Sequence, residues 1–169
     1  MKIFLLGFMG AGKSYWGKQL AEHLELPFYD LDDVIVEAES MSISDIFANK
    51  GEDYFRAKEG FWLRELSESD NFVISCGGGV PCFQDNMDIM NARGTTIWLN
   101  PELPVIVERL KRKKSKRPLI QDLPDEELLA FVEKKLAERE SFYGQAQITI
   151  AESDTITLDT FTQRLNNNA

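Results

Sequence analysis

Short apolar segments alternate with longer amphipathic segments along the whole chain. The apolar segments are rich in β-branched and aromatic residues, and the first and third stop at glycines, which is typical of buried strands. Five strands are predicted, at residues 2–8, 26–30, 72–76, 95–99 and 147–150. Strands that alternate with helices in this way indicate an α/β fold, with a parallel sheet covered by helices on both faces.

The segments between the strands have apolar residues at helical spacing. Helices are predicted at 13–24, in several pieces over 31–69, and at 83–92, 101–112, 124–143 and 158–165. Gly51 interrupts the second region, where Ser42 or Ser44 is a candidate N-cap. The basic stretch 111–122 has no apolar periodicity and is predicted to be a mobile loop, and the asparagine-rich end is predicted to fray.

Composition narrows the classes of protein that fit. The chain has 169 residues, which suggests one domain, and a formal net charge of −9, which argues against nucleic acid as a main partner. Cys76 and Cys82 are too few for a disulfide framework and lack the histidines of a zinc site, so we expect free thiols in a reducing cytoplasm. No targeting segment is expected, because the apolar run 3–9 is short and leads directly into the glycines that follow. No membrane span is expected, because no apolar run approaches about 20 residues, and we infer a cytoplasmic protein.

The most specific motif is the segment from Gly7 to Ser14, which matches the P-loop pattern G-x-x-x-x-G-K-[ST]. Its glycines let backbone N–H groups turn toward phosphate oxygens, and the helix that follows adds its positive end. Lys13 can reach the β- and γ-phosphates, and Ser14 can bind Mg²⁺. Tyr15 and Trp16, which follow, are expected to pack rather than react.

Two acids follow the second strand, at the edge of the sheet where ligands bind in parallel α/β folds. Asp30 and Asp32 are expected to point to opposite sides of this segment, so the two carboxylates need not share a role. One carboxylate could hold the water shell of Mg²⁺, and the other could accept the proton of an attacking hydroxyl. The alternative is that the segment 30–33 only caps the next helix, and Asp33 fits a capping or solvated role better.

Further polar candidates lie later in the chain. The glycines at 77–79 allow a small ligand to approach the backbone closely. Arg56 and Arg139 could each bind a carboxylate in bidentate fashion, although Glu138 and Glu140 make a surface ion pair a rival for Arg139. Arg117 lies in the basic stretch and could swing over the γ-phosphate.

Other P-loop classes fit less well. The segment Asn49–Glu52 resembles the guanine motif of GTPases but ends in glutamate and precedes the third strand. Motor and transport ATPases place an acid after an apolar strand such as 72–76, which here ends in glycine. Acids after the second strand instead favour a small-molecule kinase.

Taken together, these segments resemble the shikimate kinase family over nearly the whole chain. The matching segments are GFMGAGKS at 7–14, FYDLD at 28–32, ISDIFANKGEDYFR at 43–56, CGGGV at 76–80, KRPLI at 116–120 and ERESFY at 138–143. The resemblance implies a three-layer P-loop kinase fold with a five-stranded parallel sheet and a mobile lid. It implies transfer of the ATP γ-phosphate to the 3-hydroxyl of shikimate, with ATP as co-substrate and Mg²⁺ as cofactor, and it favours a monomer.

The resemblance also assigns residues. Gly10, Ala11, Gly12, Lys13, Ser14, Tyr15 and Arg117 would bind the nucleotide, and Asp32, Arg56, Gly78, Gly79 and Arg139 would bind shikimate. Asp32, Lys13 and Arg117 would be catalytic, and Mg²⁺ would contact Ser14 directly and Asp30 through water.

The same resemblance divides the predicted single domain 1–169 into regions. A core is formed by 1–30, 70–110 and 144–169, a shikimate-binding helical region by 31–62, and a lid by 111–123. The sequence departs from the family in two places. Tyr15 follows Ser14 where a threonine is common, and the adenine-stacking arginine could be Arg109 or Arg112.

Overall fold

The computed structural model describes all residues, 1–169, and consists of a sheet with helices packed on both faces. The strands are β1 (Lys2–Leu6), β2 (Phe28–Asp30), β3 (Phe72–Ser75), β4 (Thr95–Leu99) and β5 (Ile148–Ile150). The helices are α1 (Lys13–His23), α2 (Leu31–Glu39), α3 (Ile43–Lys50), α4 (Glu52–Ser67), α5 (Asn86–Arg93), α6 (Leu103–Arg112), α7 (Asp125–Tyr143) and α8 (Leu158–Asn168). Short 3₁₀ turns lie at Val80–Cys82 and Lys114–Lys116.

The five strands are all parallel, in the order β2-β3-β1-β4-β5. The predicted five-stranded parallel sheet is therefore confirmed. Since β1 lies in the middle, the connection that leaves its carboxyl end lies beside the ends of both β3 and β4. This is the position at which parallel α/β sheets bind ligands.

Apolar side chains fill both faces of the sheet. On one face Phe4 and Phe72 pack edge to face, with ring centroids 5.1 Å apart, beneath α2 to α5. On the other face Leu20 of α1 and Phe161 of α8 are fully buried. A third cluster joins the loop after β1 to α6 and α7 through Phe8. The loop after β1 is thus held in place by packing against the sheet and against α6 and α7.

Several predicted boundaries differ from the structure. The first strand ends at Leu6 instead of residue 8, because Gly7 turns the chain with a φ of 143°. The helix predicted at 83–92 begins only at Asn86, since the 3₁₀ turn Val80–Cys82 and a left-handed Gln84 (φ 52°) precede it. The last helix continues to Asn168, so the predicted frayed tail is wrong for its first residues.

Two local predictions have clear outcomes. Ser42, and not Ser44, is the N-cap of α3, where its hydroxyl accepts a hydrogen bond from the N–H of Asp45. None of the eight helices has the length and apolar character needed to cross a lipid bilayer.

Candidate active site

The loop after β1 is shaped by its glycines. A Cβ on Gly7 would lie 2.5 Å from the carbonyl oxygen of Leu99, and Gly10 and Gly12 have φ angles of 81° and 96°. Only glycine adopts these conformations without strain or collision. Ala11 is buried against the core, so only its backbone is available to a ligand.

Lys13, the first residue of α1, is buried inside this loop. Its Nζ donates to the carbonyl oxygens of Gly7 and Phe8, at 2.8 and 2.9 Å. Burial, together with the nearby Arg117 guanidinium, lowers the pKa of Lys13 to about 8. The ammonium therefore faces a cavity in which a bound anion would favour its charged form, which burial disfavours.

Ser14 and Asp30 form a direct contact between α1 and the end of β2. The Ser14 hydroxyl donates to Oδ2 of Asp30 and lies 3.4 Å from the Ser75 hydroxyl. The other oxygen of Asp30 accepts a hydrogen bond of 3.0 Å from the N–H of Asp32, which caps α2. Asp30 therefore has both a capping role and a position beside Ser14.

The expectation that Asp30 and Asp32 point to opposite sides is wrong. Side chains two residues apart on a strand share a side, so even a continuing strand would not separate them. In the structure β2 ends at Asp30, and Asp32 lies in the first turn of α2. Both carboxylates line one cavity. Asp33 is exposed, as expected of a solvated residue, but it is not the cap.

The cavity that Asp30 and Asp32 line is the larger of two at the site. It has a volume of about 540 Å³ and runs along the carboxyl edge of the sheet. It begins at the acids after β2 and the glycines after β3, crosses the loop after β1, and ends beside the segment after β5. Its lining includes Gly10, Gly12, Lys13, Ser14, Tyr15, Trp16, Asp30, Asp32, Gly78, Arg109, Arg112, Arg117, Ser153 and Ile156. Most of the predicted nucleotide-binding residues therefore meet in one space.

A smaller cavity, of about 80 Å³, adjoins the larger one. Its polar lining consists of Asp32, Arg56, Glu59, Gly77, Gly78, Gly79, Lys116, Arg117 and Arg139. Apolar side chains such as Phe47 and Leu119 complete the wall. The lining suits a compact acidic ligand with hydroxyl groups, because cations, carboxylates and apolar surface meet at short range.

Asp32 lines both cavities. Burial, with the neighbouring Asp30 charge, raises the pKa of Asp32 to about 6. Its Oδ1 is buried and has no hydrogen-bond donor in the protein. An acceptor without a partner at the junction of two cavities is well placed to receive a ligand hydroxyl.

Arg56 is held firmly on α4. Its guanidinium donates to Oε1 of Glu59 at 2.7 Å and to Oε1 of Glu52 at 3.1 Å. One of its faces lies against Gly79, where a Cβ would be only 2.2 Å from Nη1. The glycine at 79 is therefore required for space and not for an unusual φ, which is −88°.

Arg139 lies on α7 and is 7% exposed. The surface ion pair that we considered for it is absent: Lys135 binds Glu138 instead, and Nη1 of Arg139 is buried without an acceptor. A Cβ on Gly78 would lie 3.1 Å from this atom. An unpaired buried guanidinium in the wall of a cavity is an anion site by its chemistry.

Glu59 is a site residue that the sequence reasoning missed. It is 1% exposed, lines the smaller cavity, and its Oε2 has no partner. Burial raises the pKa of Glu59 to about 7, against the opposing effect of Arg56. The only signal in the sequence was its position three residues after Arg56 on a helix, a spacing that surface ion pairs share.

Arg117 lines both cavities from the segment that follows α6. Its Nε is buried without an acceptor, and burial lowers the pKa of its guanidinium. The segment from 113 to 124 contains the 3₁₀ turn Lys114–Lys116 but no longer element. Arg117 is thus brought to the junction of the cavities by a short, mostly irregular connection.

The structure distinguishes the two arginine candidates at the far end of the larger cavity. Arg109 donates from Nη1 to the carbonyl of Gly10 at 3.1 Å, whereas Arg112 only lines the wall. Tyr15 also lines the cavity but is 63% exposed. Arg109 is therefore the arginine fixed to the loop after β1.

The donor set at Ser14 fits magnesium. A hydroxyl and one carboxylate lie in contact beside the buried Lys13, and Mg²⁺ prefers hard oxygen ligands, few of them from protein and the rest from water and phosphate. No group of three or more histidine, cysteine or acidic side chains could enclose an ion anywhere in the chain.

The comparisons agree on one family. The family model described as shikimate kinase matches residues 9–167. A shikimate kinase of Azobacteroides pseudotrichonymphae is 49% identical over 148 residues, which are 87% of each chain. The shikimate kinase of Bacteroides thetaiotaomicron is 45% identical over 147 residues, 87% of this chain and 84% of that one.

Solved structures give the same result. The crystal structure of shikimate kinase from Bacteroides thetaiotaomicron has a TM-score of 0.89 at 41% identity, over 99% of this chain and 97% of that chain. A shikimate kinase from Acinetobacter baumannii, solved in complex with shikimate, has a TM-score of 0.85 at 32% identity, over 98% and 90% of the two chains. The protein described here belongs to the shikimate kinase family.

Proposed function

We propose that this chain transfers the γ-phosphate of ATP to the 3-hydroxyl of shikimate, which gives shikimate 3-phosphate and ADP on the route to chorismate and the aromatic amino acids. One observation carries the proposal: Asp32 and Arg117 line both cavities, so the two substrates would meet between an acid and a guanidinium. Family membership supports the choice of acceptor.

In the proposed reaction the larger cavity holds ATP. The backbone of Gly10, Ala11 and Gly12 would surround the phosphates, and Lys13 would leave its carbonyl partners to bind the β- and γ-phosphates. Ser14 would bind Mg²⁺ directly and Asp30 would bind it through water. The ion, when bound, supplies positive charge to the phosphate oxygens.

The smaller cavity would hold shikimate. The paired guanidinium of Arg56 and the unpaired one of Arg139 would bind the carboxylate, with Gly78 and Gly79 leaving room for the ring. The carboxylate of Asp32 would accept the hydrogen of the 3-hydroxyl. As the hydroxyl oxygen bonds to the γ-phosphorus, the bond to the bridging oxygen of ADP breaks and the proton passes to Asp32.

Arg117 would neutralise charge on the phosphoryl group in flight, and the lid 111–123 would close over it to exclude water. We further propose that 1–169 acts as one kinase domain, with core 1–30, 70–110 and 144–169 and an acceptor region at 31–62. We infer a monomer in the cytoplasm, in keeping with two free cysteine thiols.

The test is an acceptor panel with ATP and Mg²⁺, in which ADP release is followed with shikimate, gluconate and a nucleoside monophosphate. We expect release to depend on shikimate alone. The variant Asp32→Asn should lose most turnover yet bind ADP normally, while Asp33→Asn, at an exposed neighbour, should keep both. No stimulation by shikimate, or full turnover in Asp32→Asn, would refute the proposal.

A further inference from the structure

The larger cavity extends well beyond the space that phosphates would fill. In the sheet order β2-β3-β1-β4-β5, the acids lie after β2 and the phosphate loop after β1, while Ser153 and Ile156 follow β5. Neighbouring strands are about 4.8 Å apart, so β5 lies about 10 Å beyond β1. A nucleotide whose γ-phosphate faces Asp32 must therefore extend its ribose and base toward β5.

Trp16 stands at this end of the cavity. The Cδ1 and Nε1 atoms of its indole lie 3.4 and 3.8 Å from the position of a Cβ on Gly12, and Nη1 of Arg109 lies 3.5 Å from the same point. The aromatic ring and the guanidinium thus flank Gly12 of the phosphate loop. Both are flat groups of the kind that stack on nucleic-acid bases.

The indole is held in place from two sides. Its ring packs on Phe161 of α8, with centroids 5.5 Å apart, and Tyr15 meets it edge to face at 5.1 Å. A side chain fixed in this way loses little conformational entropy when a ligand binds. The part of the indole that lines the cavity is therefore a preformed apolar wall in a region otherwise rich in cations.

We propose that Trp16 is a nucleotide-binding residue, whose indole forms the wall against which the adenine base of the donor packs, next to Arg109. The inference rests on the proposed function only in taking ATP as the donor. It revises the expectation that Trp16 only packs. One side of the ring packs between α1 and α8, and the other side lines the end of the cavity where the adenine base would lie.

Two probes separate base recognition from phosphate binding. ADP carries the base, whereas inorganic tripolyphosphate carries only the phosphates. For Trp16→Leu, which keeps an apolar contact with Phe161, we expect ADP binding by calorimetry to weaken about tenfold or more. Tripolyphosphate binding should stay within about twofold. Trp16→Phe should be intermediate, and Trp62→Phe, outside the cavity, should match the parent.

Tryptophan fluorescence gives a second measurement. The chain has three tryptophans, and we expect ADP to change the emission of the parent and of Trp62→Phe, but not that of Trp16→Phe. Unchanged ADP affinity in Trp16→Leu would overturn the inference, as would an equal loss of ADP and tripolyphosphate binding. Neither result would bear on whether the parent protein phosphorylates shikimate. Conversely, if shikimate does not stimulate the parent but ADP binding still depends on Trp16, only the proposed acceptor is refuted.

Discussion

The guanidinium of Arg56 lies over the ring of Phe83, with 4.5 Å between the guanidinium carbon and the ring centroid. Phe83 follows the 3₁₀ turn after β3 and does not line either cavity. The ring therefore supports Arg56 from outside the cavity, while Glu59 and Glu52 form ion pairs with its guanidinium nitrogens.

Removing this ring should weaken binding of the acceptor. A cation–π contact is worth about 0.5–2 kcal/mol, so Phe83→Leu should raise the KM for shikimate roughly 2- to 30-fold, with a smaller effect on kcat. Steady-state kinetics measure both. Phe61→Leu, which removes an aromatic ring that is 50% exposed, is the matched control. An unchanged KM in Phe83→Leu would show that the two glutamates alone position Arg56.

Adding a single methyl group at Gly79 should have a similar but stronger effect. The Cβ of Gly79→Ala would meet Nη1 of Arg56 at 2.2 Å, so the guanidinium must move. We expect shikimate binding to weaken by about tenfold or more, the loss of one charge-assisted hydrogen bond, while ADP binding is retained. Gly144→Ala, at an exposed residue with φ −64°, should behave as the parent does. Normal shikimate binding in Gly79→Ala would argue against a role for Arg56.

Activity should fall as the pH is lowered through the pKa of Asp32. Because burial and Asp30 raise this pKa from 3.8 to about 6, the carboxylate is a base above that pH and a neutral acid below it. We expect kcat/KM for shikimate to decrease about tenfold per pH unit below about 6. A pH profile that stays flat down to 5 would contradict the assignment of Asp32 as the base.

The same carboxyl should reduce the stability of the fold at neutral pH. The folded protein holds this proton up to about pH 6 and the unfolded chain only to about 3.8, so the free energy of unfolding falls as pH rises between these values. Asp32→Asn should therefore raise the free energy of unfolding at pH 8 by up to about 3 kcal/mol, and the melting temperature with it, and should raise both much less at pH 4. Asp33→Asn provides the control, and equal melting temperatures of Asp32→Asn and parent at pH 8 would contradict the prediction.

Tyr143 should affect both stability and shikimate binding, although it does not line either cavity. Its hydroxyl donates to the carbonyl of Gly78, and its ring is fully buried beside Trp98. Tyr143→Phe leaves this part-buried carbonyl without its donor, which should cost about 1–3 kcal/mol and raise the KM for shikimate through Gly78. Chemical denaturation and kinetics measure the two effects. Tyr29→Phe, at a half-buried tyrosine outside both cavities, should change neither.

Arg117 should affect turnover more than binding. Arginines that stabilise a phosphoryl group in flight contribute about 10³-fold or more to kcat, so Arg117→Ala should lose about that much while the Kd for ADP changes far less. Lys134→Ala removes an exposed charge from α7, outside both cavities, and should leave kcat unchanged. A proportionate loss of ADP affinity would make Arg117 a ground-state binding residue.

Much of the fold follows from periodicity because each strand and helix has its own local signal. The P-loop was identified on the same basis, since its glycines, lysine and serine are consecutive between a strand and a helix. The relation of Asp30 to Asp32 was predicted wrongly, because side chains two residues apart share a side on a strand, and the strand in any case ends at Asp30.

Contacts between distant segments could not be predicted from one sequence. Phe83 touches Arg56 only because α4 and the turn after β3 pack together. Arg139 and Tyr143 meet the glycine loop over more than 60 residues of chain. No local pattern encodes such distances, so an arginine that binds a ligand and one that forms a surface ion pair look alike in the sequence.

The sharing of Arg117 by the two cavities has a thermodynamic consequence. The guanidinium loses its conformational entropy only once, so the ligand that binds first bears this free-energy cost and the second ligand does not. Linkage then requires that each ligand tighten the other by the same factor. In its equilibrium binding, the enzyme would sense both substrates through a single side chain.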